Sequence, residues 1–386
     1  MKTKYSIAIG ILLLLLCGVG IFLSSENALG FLHRATTPTP TPYVVPARGP
    51  EIPLSTHRVQ SLQSASTSTQ FNPWGIAIDQ LDGFVWVAEP GCDMAPTCLQ
   101  AFSTALGKYS LTNGSLLNEY QEPSDYSSPL FVAVAPDGVV WFTQPNSDAL
   151  GSFNPQTTLF SKYSVKKNSA PYDLIIDKNG SIWFTEFQGN AIGFLDGKKH
   201  TIVETPIPTA QSNPYGITQD STGMVWFVEN QKDVSQIGSF TPTASGKIAI
   251  TEHAVNARQP HLIAADKAGN IWFSEAFAGD VGKFNPVDGT TTNYKVTPPC
   301  LTSTCTGVHV SGIAIDKNGN VWFTDSLAGV IGYLVPSTGA VVKKIFSVAN
   351  VHPHDGLVID GYNTVWFTLE YGRLLNMWPG AKIPAK

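Results

Sequence analysis

The chain is short of charge. Asp, Glu, Lys and Arg make up 14% of its 386 residues, where about a quarter is usual. What charge there is leans acidic: 24 Lys and Arg against 29 Asp and Glu, a formal net charge of −5. Phosphate binding needs a basic face, so this balance argues against a nucleic-acid partner. Long amphipathic helical patterns are missing too, while Gly (34) and Pro (27) are frequent. That combination points to β structure with many tight turns.

Long hydrophobic runs are also scarce, with one exception at the start. Lys2 and Lys4 precede 21 uncharged residues, Tyr5 to Ser25, centred on "ILLLLL". Such a run is long enough to span a bilayer as a helix, and its positive flank would send the rest of the chain out. An uncleaved anchor is favoured over a cleaved signal peptide, because Glu26 and Asn27 crowd the expected small-residue positions. "ATTPTPTPYVVPARGP", Ala35 to Pro50, is extended chain that builds no core. The expected organisation is therefore an N-terminal anchor or signal over 1–25, a Thr/Pro-rich linker over 26–50 and a folded domain over 51–386. The domain would lie outside the cytoplasm, membrane-anchored or secreted, as a monomer.

Cysteine is sparse, with five residues. Cys17 sits in the apolar run; Cys92/Cys98 and Cys300/Cys305 form two close pairs. Outside the cytoplasm such pairs read as local loop disulfides rather than zinc ligands.

What is abundant is a repeat. "NPWGIAIDQLDGFVWVAE", "SPLFVAVAPDGVVWFTQ", "APYDLIIDKNGSIWFTE", "NPYGITQDSTGMVWFVE", "QPHLIAADKAGNIWFSE", "VSGIAIDKNGNVWFTD" and "HPHDGLVIDGYNTVWFTLE" follow one another. Their tryptophans, Trp86, Trp141, Trp183, Trp226, Trp272, Trp322 and Trp366, are 55, 42, 43, 46, 50 and 44 residues apart. Each copy reads as a strand, a turn rich in Asp, Asn and Gly, and a second strand. A third strand carries "IGxF" or a close variant (Ile192–Phe194, Ile237–Phe240, Val281–Phe284), and a fourth run such as "TTNYKV" follows. Four short strands per copy, seven times over, predict an all-β, seven-bladed propeller. The last copy has its third strand near Arg373–Trp378 and no fourth. A spare strand around His57–Leu62 is expected to complete it and close the ring.

In such a blade the residue after each repeat Pro opens the innermost strand at one channel mouth: Trp74, Leu130, Tyr172, Tyr215, His261, Ser311 and His354. The second strand is read as ending on the same face, at Glu89, Gln144, Glu186, Glu229, Glu275, Asp325 and Glu370. Acids that recur in nearly every blade are more structural than catalytic as a set. His261, His309, His352 and His354 come from copies five, six and seven, and with Glu370 make a constellation suited to general-base or metal chemistry. His354 lies 12 residues before Trp366, where copies two to six have 11. Either the turn is longer or Asp355 takes the inward place.

The "PYGIT" and "IWFTE" repeats, the "IGxF" strand and "NARQPH" at Asn256–His261 resemble the virginiamycin B lyase, or streptogramin lyase, family over most of residues 57–380. The resemblance implies a propeller that linearises a cyclic depsipeptide antibiotic by magnesium-assisted elimination at its ester. It puts the catalytic histidine on His354 and a metal-holding glutamate on Glu370. A second family glutamate falls on His352, which favours a softer ion such as Zn²⁺ over Mg²⁺. The family's partner histidine falls on Ser311 and its tyrosine on Trp74. Together with Tyr172, Tyr215 and His261, these would line the site for a small-molecule or cyclic peptide ligand. Two other readings stand beside it: a non-catalytic propeller that binds a peptide or glycan, and a metal-dependent hydrolase of the lactonase kind.

Overall fold

A computed structural model describes residues 72–90, 104–125, 127–231, 235–297, 307–346, 352–370 and 374–378, with short strands at 43–44, 51–53 and 60–61. The four paired cysteines and the 1–25 segment lie outside the described residues. Among those described, no helix is long and apolar enough to cross a membrane.

The fold is an all-β propeller of four-stranded antiparallel blades. Six blades follow one another along the chain, each with its four strands in sequence order. Blade 3 is representative: Pro171–Ile176, Ile182–Glu186, Ala191–Leu195 and Ile202–Pro206. Blades 1 and 2 precede it, from Ile76 to Gln121 and from Val132 to Ser164; blades 4, 5 and 6 run from Pro214 to Ala254, Pro260 to Lys295 and Val310 to Ile345. A last sheet follows, made of Pro353–Ile359, Val365–Leu369 and Leu374–Trp378. Its outer neighbour is Gln60–Ser61, antiparallel, with Gln60 opposite Met377 and Ser61 opposite Asn376. Two stretches near the expected linker pair in parallel with outer strands: Tyr43–Val44 along blade 5 and Glu51–Pro53 along blade 6.

The repeat motif is explained by local physics. In blade 3, Asp177 Oδ1 accepts the N–H groups of Asn179 (2.8 Å) and Ser181 (3.0 Å), which folds the turn, while Oδ2 accepts Trp183 Nε1 at 3.1 Å. Gly180 supplies the left-handed angle that the turn needs (φ 79°). Asp220, Asp266, Asp316 and Asp360 serve Trp226, Trp272, Trp322 and Trp366 in the same way. One side chain thus sets the hairpin and satisfies a buried indole N–H.

The second strand is buried at every residue in blades 2 to 6. Its two faces pack against neighbouring blades, so it carries no in–out alternation. Trp183 packs on Phe194 of its own blade (4.7 Å between ring centroids) and on Phe240 of the next (5.0 Å). The "IGxF" glycine exists for the phenylalanine opposite. A Cβ on Gly193 would stand 2.1 Å from the Phe184 ring, and Gly151, Gly238 and Gly282 are in the same position. Hydroxyls tie blade to blade: Thr143 donates to the Tyr172 carbonyl (2.7 Å), Thr185 to that of Tyr215 (2.6 Å), Ser274 to that of Ser311 (2.6 Å), Thr324 to that of His354 (2.6 Å) and Thr368 to that of Trp74 (3.0 Å).

Candidate functional site

The site lies where the innermost strands begin. In blades 3 to 6 two residues separate the bond partners at the top of that strand. Pro171 faces Glu186 and Leu174 faces Phe184, leaving Tyr172 and Asp173 in the bulge. In the last sheet Pro353 faces Leu369 and Leu357 faces Phe367, so the bulge holds His354, Asp355 and Gly356. His354 keeps the repeat position, because its carbonyl accepts the inter-blade bond from Thr324. Asp355 is the added residue, and it takes the inward place. Gly356 lets the wider bulge fit: a Cβ there would lie 2.0 Å from the Trp74 carbonyl oxygen.

Asp355 reaches the channel axis, where side chains from three other blades converge on it. Its Oδ2 accepts Trp74 Nε1 (3.2 Å) and Tyr172 OH (3.0 Å). Its Oδ1 lies 3.0 Å from His261 Nε2 and 3.2 Å from His354 Nδ1. Burial alone would raise this carboxyl, but His354 and His261 outweigh it and hold Asp355 well below the usual carboxylate range. An ionised carboxylate therefore sits under the mouth.

The rings pack around it. His354 lies 4.6 Å from Trp74, 5.2 Å from His309 and 5.2 Å from His352, the last pair stacked. Tyr215 lies 4.2 Å from Tyr172 and 4.9 Å from His261. His309 is 5.1 Å from His261. Burial pushes His309 down to about 2, with His261 and His354 adding to the effect, so this imidazole is neutral. Below the belt, Asp173 accepts the N–H groups of Leu174 (2.8 Å) and Ile217 (3.0 Å). Burial raises it to about 7, and the charge of Asp355 adds to that. These two acids face a cavity of about 390 Å³ that is also lined by Thr218 and by aliphatic and aromatic residues, among them Ile76, Phe131, Leu262 and Ile313.

One expectation is corrected here. Glu370 does not end the second strand. Leu369 holds that position, opposite Pro353, because "VWFTLE" carries one residue more than "IWFTE". The Glu370 N–H donates to the His352 carbonyl (3.1 Å), as that of Ser326 does to His309. Glu370 therefore corresponds to Ser326, outside the acidic ring. Ser311 holds the repeat position, since its carbonyl accepts the inter-blade bond from Ser274; its side chain is buried, with the hydroxyl 3.3 Å from that of Thr324. Trp74, Tyr172, His261 and His354 do come together, with Tyr215 beside them. Of the two readings of the 12-residue spacing, the inward Asp355 is the one the structure shows; its role as a hub for three other blades was not foreseen from the sequence.

Two members of the acidic ring hold the loops that enter their own blades. Glu275 Oε2 accepts the Arg258 N–H (2.8 Å), and Asp325 Oδ1 accepts those of His309 and Ala328 (both 2.9 Å). Burial raises Glu186 to about 7 and Glu229 and Glu275 to about 8.

The donors expected to hold a metal are His352 and Glu370. His352 Nδ1 lies 2.6 Å from Glu370 Oε2, so the two groups are joined to each other. Mg²⁺ takes an octahedral shell rich in oxygen. One imidazole and one carboxylate already paired do not fit it. Among the described residues, no three His, Cys, Asp or Glu side chains converge as ligands.

Comparison with known proteins bears on this arrangement. The model of the virginiamycin B lyase family matches residues 78–311. No curated protein matches by sequence. Among solved structures, the selenomethionine form of virginiamycin B lyase from Staphylococcus aureus is 26% identical, with a TM-score of 0.68 over 83% of this chain and 99% of that one. A catalytically inactive variant of the same enzyme with quinupristin gives 26%, 0.69, 83% and 99%. A streptogramin B lyase structure, 24% identical, has a TM-score of 0.68 over 83% of this chain and 97% of its own.

Proposed function

The chain belongs to the virginiamycin B lyase family, and on that footing we propose that it is an extracytoplasmic lyase that opens a cyclic ester of the streptogramin B type by elimination. The ring is taken as seven-bladed and closed by the N-terminal strand. The pairing of Gln60–Ser61 with the last sheet and the bond from Thr368 to Trp74 support that reading. The N-terminal apolar run would hold the domain at the membrane or export it.

The observation that carries the proposal is the placement of His354. Its Nδ1 faces the ionised Asp355 at 3.2 Å, and its ring is held between Trp74 and His309. A carboxylate beside one imidazole nitrogen favours the proton there and leaves Nε2 as the working base. In the reaction, Nε2 takes a carbon-bound proton from the substrate. The electron pair released forms a carbon–carbon double bond, and the ester oxygen leaves as a carboxylate. No water is consumed. Asp355 balances the imidazolium that forms. Tyr215, beside Tyr172 and His261, offers the ring surface on which the ligand stacks. The family's Mg²⁺ would add Lewis-acid stabilisation of the developing negative charge. The pairing of His352 with Glu370 does not match that role, and no step here depends on the ion.

The test is His354→Ala on a streptogramin B-type depsipeptide. Turnover is expected to vanish while binding persists. Binding without turnover in the parent chain itself would instead identify a non-catalytic binding propeller.

A further inference from the structure

The other end of the blades carries a second cavity. It lies between blades 2 and 3, at the turns that join first to second and third to fourth strands, and measures about 510 Å³. The candidate active site is at the opposite end.

At this cavity blades 2 and 3 combine two departures from the commoner repeat, each of which one other blade shows singly: Trp86 Nε1 also lacks a partner among the described residues, and Leu334 stands opposite Val321 as Leu195 stands opposite Ile182. In five blades the repeat tryptophan gives its Nε1 proton to an aspartate six residues earlier. In blade 2 that position is Ala135, whose backbone takes the same turn, with its N–H on the Val139 carbonyl at 2.8 Å. Trp141 Nε1 has no acceptor among the described residues. The second break is in the neighbour. Trp86, Trp183 and Trp226 are covered by Phe153, Phe240 and Phe284 of the following blade. Leu195 holds that place in blade 3. Trp141 is left with Tyr163 of its own blade, 5.2 Å away, and Tyr163 is in turn 4.9 Å from His200.

The lining chemistry is one-sided. Lys178 and Lys198 are exposed at the rim, and neither has an ion pair among the described residues. Asp137 is the one acid lining the cavity, and its Oδ1 accepts the Val139 N–H at 3.1 Å. Ser152 and Ser161 add hydroxyls, which both donate and accept. Two ammonium groups and an indole N–H with no protein acceptor among the described residues suit a carboxylate. Hydroxyls beside an aromatic pair suit a ring that carries hydroxyl groups.

We propose that the cleft between blades 2 and 3 is a binding site for an acidic monosaccharide, a sugar ring bearing a carboxylate. Trp141 Nε1, Lys178 and Lys198 receive the carboxylate, and Tyr163 and His200 flank the ring. Ala135 is the residue that makes the site possible: an aspartate there would satisfy Trp141 and repel the anion.

The test is calorimetric titration of the full chain with glucuronate, glucose and acetate. Glucuronate is expected to bind saturably, and glucose and acetate each at least roughly tenfold more weakly. Ala135→Asp copies the other blades, so it should fold with an unchanged or higher melting temperature and lose glucuronate binding. The double variant Lys178→Glu, Lys198→Glu changes only exposed groups and should lose it too. Absence of saturable glucuronate binding, equal affinity for the three compounds, or undiminished binding in the two folded variants would each overturn the proposal.

Discussion

His261 and Asp355, 94 positions apart in the chain, meet at 3.0 Å on the axis of the propeller, His261 Nε2 against Asp355 Oδ1. Trp74 and Tyr172 reach the other oxygen. One carboxylate therefore fastens innermost strands from four parts of the ring while facing the proposed base. Asp355→Asn keeps the shape and removes the charge. Turnover is expected to fall on the order of a hundredfold or more, with little change in KM. Asp355→Ala, which leaves several buried donors unpaired, should cost about 3–5 kcal/mol of stability. Steady-state kinetics and urea midpoints check both; an unchanged kcat in Asp355→Asn would remove Asp355 from the mechanism.

The buried ring acids give a pH signature. Glu229 and Glu275 are raised by burial from 4.5 to about 8, so the folded chain holds protons that the unfolded chain has released. Stability from these groups is full below the unfolded value and declines as pH rises from 4.5 through 8. Glu229→Gln and Glu275→Gln remove that dependence. Melting temperatures across this range should show each variant gaining on the parent as pH rises. A gap that is constant with pH would contradict the account.

Gly193 makes room for Phe184. Gly193→Ala is expected to destabilise by about 1–3 kcal/mol through overpacking. Adding Phe184→Leu should recover part of that loss, so the double variant costs less than the sum of the singles. Simple additivity in denaturant melts would show that ring and glycine are not coupled.

His352 and Glu370 hold each other rather than an ion. Ring opening is accordingly expected to continue in the presence of EDTA. Loss of activity in EDTA that Mg²⁺ restores would mean that the pair separates to ligate metal when substrate binds.

The blades were legible in the sequence because their cause is periodic: an Asp that folds the turn and binds Trp, a Phe over a Gly, a Thr or Ser that reaches the next blade. Trp183, Gly193 and Thr185 each repeat, and each repetition has one physical reason. The candidate site was legible only in part, because it lies where the repeat is broken. His354 could be placed from its Pro. Asp355 could be named only as one of two alternatives, since a single added residue decides whether a side chain points at the axis or away from it. The same kind of shift moved Glu370 out of the acidic ring. The cleft beside Trp141 rests on what two positions lack, an Asp at Ala135 and a Phe at Leu195.

The most direct test of the account is the mass of the product. The parent chain and His354→Ala are incubated with a streptogramin B-type cyclic depsipeptide, and the products are read by mass spectrometry with fragmentation. The account predicts a ring-opened product of unchanged mass from the parent and none from the variant. A product that has gained the mass of water, or intact substrate from the parent chain, would contradict it.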